Sequence, residues 1–290
     1  KVNDIGQYAF GYCQEFSGSL IIPNSVMYIS DHAFESCCFD GELILPKYST
    51  SIGRYAFAKC NKFTGKLVIP DSYKTIGSYA FASCSGFEGT LSMPLNMENI
   101  GSRAFISCTG FTKLELLSRY LNTIENEVFS GCTGFKGSLY IRAATEIKSG
   151  AFYGCSRFNG TLTFSDFLNK IGISAFYLCS GFTGKLDLPF DLYDIDDDAF
   201  YGCKGFTSLK INIYLNHIGK NAFSCCTGFT GDLNMKGAKI DIEYGAFSYC
   251  TGFNGSLILS NVTTTIGNSV FRGNSGFNSS KSSLYLLNTF

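Results

Sequence analysis

The chain has 290 residues, and its 23 basic and 23 acidic residues cancel to a formal charge of zero. No Lys/Arg stripe runs along it, which excludes the electrostatic footprint of a nucleic-acid binder, and no apolar run reaches the roughly 18 residues a membrane span needs. Hydrophobic residues make up 45% of the chain, enough for a large core, yet tryptophan is absent and phenylalanine reaches 28.

The first element is a motif, Ile-x3-Ala-Phe-x2-Cys, running from Ile5 to Cys13 and repeated from Ile76 to Cys84, Ile100 to Cys108, Ile171 to Cys179 and Ile242 to Cys250. Counted by its Ile it occurs twelve times, the last opening at Ile266, with 23 or 24 residues between copies. A period this strict predicts a solenoid built from one repeated unit. No composition break or linker interrupts it, so residues 1–290 read as one domain, a mature form or a piece of a longer protein.

Within the motif, Ala, Phe and Cys at spacings of one and three predict a single helical or 3-10 turn, too short to stand alone. The fourth residue after the Ile is Ala in ten copies and Val in two (Val128, Val270), which implies close approach between coils. The residue directly after the Ile is Gly in seven copies but Ser30, Glu125, Lys148, Asp196 or Glu243 elsewhere. A site obliging a positive φ rarely admits Glu or Lys, so this position reads as a turn entry.

A second Phe follows the Cys position in every copy, from Phe16 to Phe277. With the twelve Phe of the motif these account for 24 of the 28, leaving Phe164, Phe167, Phe190 and Phe290. Coils paired about 4.8 Å apart would stack each set into a column of offset rings. Burying each ring contributes about 1.5–3 kcal/mol, so the two columns are the expected core.

Next comes Leu-x-Ile/Leu, as in Leu67-Val68-Ile69, whose alternation predicts a short strand with one buried face. Proline closes it at Pro23, Pro46, Pro70, Pro94 and Pro189. A Gly precedes most strands, but Phe111-Thr-Lys-Leu114-Glu-Leu116 and Phe206-Thr-Ser-Leu209-Lys-Ile211 lack it, so the Gly reads as an inserted bulge. These two copies carry the L-x-x-L-x-L signature of a leucine-rich-repeat strand.

The I-G-x-x-A-F-x-x-C unit with its L-x-I-P strand resembles the treponemal-type, BspA-like leucine-rich repeat, over practically the whole chain. The resemblance implies an α/β right-handed solenoid of about 12 coils, with a parallel concave β-sheet and short helical or 3-10 turns on the convex side. It also implies a cell-surface or secreted protein that adheres to host or matrix proteins. The chain departs from ordinary leucine-rich repeats in having no N-x-L after the strand. The resemblance carries no catalytic residue with it.

Eleven of the thirteen cysteines fill the repeat position, and Asn274 takes the twelfth. Exchange of Cys for Asn suggests a small polar group satisfying a buried loop carbonyl. Stacked equivalents have parallel Cβ vectors, poor for disulfides, and without a C-x2-C pair zinc is disfavoured. Cys38 and Cys225 are extra and could be exposed. His32 and His217 lie in different repeats, too far apart to cooperate, and read as surface residues. The run Asp191, Asp194, Asp196, Asp197, Asp198 is a solvated acidic patch or, as the alternative, an ion site, although its spacing does not match a Ca²⁺ loop. No catalytic constellation, metal site or cofactor is expected, and the chain reads as no enzyme.

The mid-strand position is the binding candidate. Leu20 and Ile22 point inward, so Ile21 points out; the column runs Ile21, Ile44, Val68, Ser92, Glu115, Tyr140, Thr163, Asp187, Lys210, Asn234, Ile258 and Tyr285, apolar at its start and mixed in the middle. Contiguous exposed apolar surface marks partner sites, although β-branched residues also serve strand propensity. Sequons at Asn159, Asn254, Asn261 and Asn278 are glycosylation candidates if the source is a secreting eukaryote. The expected partner is a protein, with end-to-end self-association possible because neither terminus carries a polar cap. An intracellular scaffold, which unpaired cysteines would suit, and a structural array are the alternatives.

Overall fold

The computed structural model describes residues 2–259, 265–278 and 284–286. Its backbone divides into two compact units, Lys1–Lys136 and Gly137–Phe290, each a parallel β-solenoid. The first contains the motif copies opening at Ile5 to Ile124, the second those opening at Ile147 to Ile266.

The Ile positions, to which the sequence reading assigns no strand, form a ladder of very short parallel strands. In the first unit Ile5, Ile29, Ile52, Ile76 and Ile100 are in register; in the second, Ile147, Ile171, Ile195, Ile218, Ile242 and Ile266 are. Each strand is two residues or a single bridge, too short for alternation to show in the sequence.

Both phenylalanine columns are present. In the first unit Phe10, Phe34, Phe57, Phe81, Phe105 and Phe129 stack at 5.2–5.8 Å between centroids. In the second, Phe176, Phe200, Phe223 and Phe247 stack at 5.1–5.2 Å. The column after the Cys meets the first edge-on, as at Phe57–Phe63 (6.5 Å, 68°). Stacking along a column and edge contacts between columns are the two arrangements the ring quadrupole favours.

The Ala-Phe segment differs from the expected helical turn. Among the described residues the one helical element is the 3-10 turn Ser275–Asn278. Elsewhere the segment is a run of tight turns in which alternate amides face opposite ways. In the copy from Ile52, the N–H groups of Ala56, Ala58 and Cys60 donate within the turn to Gly53, Tyr55 and Phe57. Those of Tyr55, Phe57 and Lys59 donate to Ser78, Ala80 and Ala82 of the next copy at 2.7–3.0 Å. A positive φ at the third and seventh residues after the Ile reverses the chain each time: Tyr55 (55°) and Lys59 (62°), Tyr79 (59°) and Ser83 (58°), Ser174 (54°) and Leu178 (55°). Those left-handed residues prevent a helix, and the zipper satisfies the buried amides instead.

The seven glycines after the Ile have no positive φ, as the Glu and Lys alternatives implied. Close approach explains the six from Gly53 to Gly267, since a Cβ on Gly77 would lie 2.6 Å from the backbone nitrogen of Arg54, whereas one on Gly6 would meet nothing within 4 Å. The strand-side glycine is the one with a special backbone, as at Gly89 (φ 74°) and Gly184 (φ 77°). Register slips there, between Gly89 and Thr90 and between Gly184 and Lys185, where a copy with the Gly pairs with one lacking it. The bulge is real.

The Leu-x-Ile strands pair in patches. Leu20–Ile21 pairs with Leu43–Ile44, and Gly89–Met93 with Phe111–Leu116. In the second unit Leu139–Tyr140 pairs with Leu162–Thr163, Gly184–Asp187 with Phe206–Lys210, and Leu233–Asn234, Leu257–Leu259 and Leu284–Leu286 form a run of three.

Candidate functional site

From Ile44 to Asp187 the mid-strand column faces outward because its flanking residues, such as Leu43, Leu45, Leu67, Ile69, Leu186 and Leu188, are buried in the core. Ile21, Ile44 and Val68 are exposed at 65%, 45% and 66%. Tyr140, Thr163, Asp187, Lys210 and Asn234 are exposed as well, while Ser92, Glu115 and Ile258 are half-buried. The ladders set Ile21 beside Ile44, Ser92 beside Glu115, Tyr140 beside Thr163 and Asp187 beside Lys210. The backbone of Tyr285 pairs with Ile258, and its side chain lies outside the described residues. Lys113 Nζ holds Glu115 at 2.7 Å and lowers its pKa.

A groove of about 530 Å³ opens on this face where Leu162–Thr163 and Gly184–Asp187 lie next to one another. Thr163, Asp166, Lys185 and Asp187 line it.

The ladder cysteines are inward thiols with a defined task. Cys60, Cys84, Cys108 and Cys203 donate from Sγ to the carbonyl oxygens of Phe34, Phe57, Phe81 and Phe176 at 3.0–3.1 Å, one copy back. Burial pushes the Cys60 thiol up to about 12 and Cys84 well above the usual range. All thirteen cysteines are thiols outside any disulfide, with Cys13, Cys38 and Cys225 half-buried. Asn274 at the twelfth position accepts from the N–H of Cys250 at 2.8 Å, so it serves the same turn by a different bond.

Both histidines are more engaged than surface residues. The His32 ring is sandwiched between Tyr8 and Tyr55 at 4.4 and 4.7 Å, with Nδ1 2.6 Å from Glu35. Tyr79 continues that stack at 4.5 Å from Tyr55, and the Arg103 guanidinium caps it while pairing with Glu127. His217 lies between two carboxylates, Asp194 at 2.6 Å and Glu243 at 3.3 Å.

The acidic run separates into different roles. Asp194 and Asp196 converge on Lys170 Nζ at 2.6 and 3.1 Å. Asp197 accepts the N–H of Lys220 at 2.7 Å, and Asp198 is a left-handed turn residue (φ 55°). Asp194, Asp196 and His217 are close enough to share an ion, but the Lys170 ammonium already supplies their counter-charge. Burial lowers the pKa of His217 and the two carboxylates outweigh it, leaving a net rise. This network joins equivalent positions of several copies occupied by different residues, so no repeated letter announced it.

Of the sequons, Asn159 and Asn254 use Oδ1 to accept the N–H of Gly137 and Gly231, at 2.7 and 2.8 Å. Asn261 lies outside the described residues, and Asn278 ends the 3-10 turn with its side chain outside them. Among the described residues no helix is long and apolar enough to cross a membrane.

The repeat phasing, the stacked Phe columns and the parallel ladders together define a family. Its model, the BspA type leucine rich repeat region, matches six copies over residues 1–65, 50–183 and 169–282. The chain belongs to the BspA-type leucine-rich-repeat family. Among solved structures, it is similar to a leucine-rich repeat protein from Bacteroides ovatus at 24% identity and a TM-score of 0.59, covering 95% of this chain and 81% of that one. It is also similar to the pneumococcal vaccine antigen PcpA at 18% identity and a TM-score of 0.51, covering 89% and 80%. Both likenesses concern the fold. A comparison with curated proteins finds no significant match.

Proposed function

We propose that this BspA-type chain is a non-catalytic recognition module at a cell surface, holding a host or matrix protein on its mid-strand face. The observation that carries the reading is the exposure of Ile21, Ile44 and Val68, with Ile21 and Ile44 directly paired. Three large apolar side chains at successive equivalent positions cost solubility and add nothing to the core, which is how a partner surface differs from a folding surface. The similarity to a bacterial antigen supports the location by family resemblance.

The free thiols do not favour the intracellular alternative. Disulfide formation needs thiolate and access, and the ladder thiols after Cys13 are buried, with burial raising the pKa at Cys60 and Cys179. Such cysteines persist in an oxidising compartment.

The test is surface plasmon resonance of the immobilised chain against a panel of purified matrix proteins. The triple variant Ile21→Ser, Ile44→Ser, Val68→Ser should weaken a positive interaction at least about tenfold while keeping the wild-type circular dichroism spectrum. Equal binding by a folded triple variant would dismiss the patch.

A further inference from the structure

We infer that the groove between Leu162–Thr163 and Gly184–Asp187 is a carbohydrate-binding site for a short neutral oligosaccharide, separate from the apolar patch of the first unit.

The groove exists because a ladder is interrupted. Among the described residues Leu162–Thr163 pairs only with Leu139–Tyr140, and Gly184–Asp187 only with Phe206–Lys210. Thr161 and Thr163 accept from Leu139 and Ile141 on one side, and Leu188 donates to Lys210 on the other. Successive residues of a strand direct their N–H and C=O to opposite neighbours. Leu162 on one strand and Asp187 on the other therefore turn backbone polar groups toward the groove, where they have no ladder partner. Such groups require water or a ligand.

The side chains are also uncommitted. Asp166, Lys185 and Asp187 line the groove, and among the described residues none makes an ion pair or a side-chain hydrogen bond. The contrast with Lys113 and Glu115 is direct. They occupy the strand positions equivalent to Lys185 and Asp187, yet they close on one another at 2.7 Å. Aspartate is one methylene shorter, and in the groove the ammonium and carboxylates stay available, with the Thr161 and Thr163 hydroxyls beside them. Two aromatic rings flank these groups in the chain: Phe167 follows Asp166, and Phe190 follows Pro189, exposed at 66% and 60%. The Phe190 ring is steadied edge-on by Tyr214 at 4.4 Å.

Carboxylates, an ammonium, hydroxyls and backbone amides, with exposed rings one residue along the chain from the lining residues Asp166 and Pro189, match a pyranose. Its hydroxyls need both donors and acceptors, and its C–H face covers an aromatic ring. A volume of about 530 Å³ falls within the range of small-ligand sites, about 300–1,000 Å³. Two carboxylates against one ammonium disfavour an anionic sugar. An inserted peptide strand is disfavoured by spacing: the Thr183 N–H donates to the Gly160 carbonyl at 2.8 Å, which pins the two coils together at one end of the groove, whereas an added strand would need about 4.8 Å on each side.

The experiment is saturation-transfer NMR and calorimetry with maltotriose, cellotriose and N,N′,N″-triacetylchitotriose. At least one should bind, and Asp187→Ala and Phe190→Ser should each weaken it by about tenfold or more, while Val68→Ser leaves it unchanged. Asp187→Asn, which keeps the side-chain volume, reads the same contact if Asp187→Ala fails to fold. Absence of transfer to all three sugars, equal affinity in the folded variants, or a response only to trilysine peptide would overturn the assignment. Because the matrix-protein test reads Ile21, Ile44 and Val68, failure of one leaves the other standing.

Discussion

The Cys84 thiol donates to the carbonyl oxygen of Phe57 at 3.0 Å, and the N–H of Cys60 donates to the same oxygen at 3.1 Å. One buried carbonyl therefore ties its own turn to the next coil, which accounts for a cysteine in nearly every copy. Cys84→Ala should cost about 1–3 kcal/mol, since it removes one partner of a buried acceptor and leaves a small void. Cys84→Ser should recover part of that loss. Urea denaturation of the two variants checks the order; equal stability of Ala and wild type would mean that the thiol only fills space.

Burial also predicts which thiols react. Cys13, Cys38 and Cys225 are half-buried and the remaining ten are buried, so a thiol reagent on the native protein should modify at most three sites quickly. The other ten should titrate only on unfolding, because thiolate and access are both denied. Mass spectrometry after a short pulse of iodoacetamide would show it. Rapid labelling of Cys108 or Cys179 would contradict the inward ladder.

The phenylalanine and cysteine ladders were legible because the same letter recurs at the same phase, and a stack of equivalent positions converts letter into contact. The left-handed residues were not. Tyr55, Lys59, Ser83 and Leu178 share a positive φ with nothing in common as side chains, so the spacing of Ala, Phe and Cys pointed to a helical turn. The Lys170–Asp194–His217–Glu243 network was hidden for the opposite reason: it depends on neighbouring copies carrying different residues at matching positions. The groove depends on strand pairing that fails between two copies whose Leu-x-Leu/Phe patterns look alike, Leu162-Thr163-Phe164 and Leu186-Asp187-Leu188, and no residue type encodes it alone.

Backbone strain gives a prediction with an internal control. Gly154 has a φ of 70° and no atom within 4 Å of where a Cβ would sit, so Gly154→Ala isolates the dihedral cost at about 1 kcal/mol. Leu178 holds the equivalent place one copy on, with a φ of 55° and 40% exposure. Leu178→Gly should be neutral or stabilising by up to about 1 kcal/mol, reversing the usual penalty for glycine. Paired thermal melts decide it, and a strong loss in Leu178→Gly would show that packing of the leucine outweighs its φ.

In the column core, Phe81 is fully buried between Phe57 and Phe105 at 5.3 and 5.2 Å, whereas Phe10 is 39% exposed. Phe81→Ala should cost about 3–5 kcal/mol and Phe10→Ala well under half of that. Hydrogen exchange should locate the Phe81 lesion, with amides of the flanking copies losing protection first, since each coil rests on its neighbours. Uniform loss across the first unit would mean that it unfolds as one block.

The charge network makes stability depend on pH in a stated direction. Burial raises the Asp194 pKa, but the Lys170 ammonium and His217 outweigh it and leave the carboxyl below its usual value. Its contribution is present above the unfolded carboxylate value and is lost as pH falls through the folded one. His217 is raised by Asp194 and Glu243 against the effect of burial, so its contribution is complete below about 6.5, the unfolded value, and disappears as pH rises through the folded pKa. Lys170 and Lys220 also face the cluster, through Asp194 and Glu243. His217→Gln should therefore destabilise at pH 5 by several tenths to about 1 kcal/mol, the scale of partly exposed ion pairs, and much less at pH 8.5. Denaturation midpoints at the two pH values test this, and a penalty that grew with pH would place the proton elsewhere in the cluster.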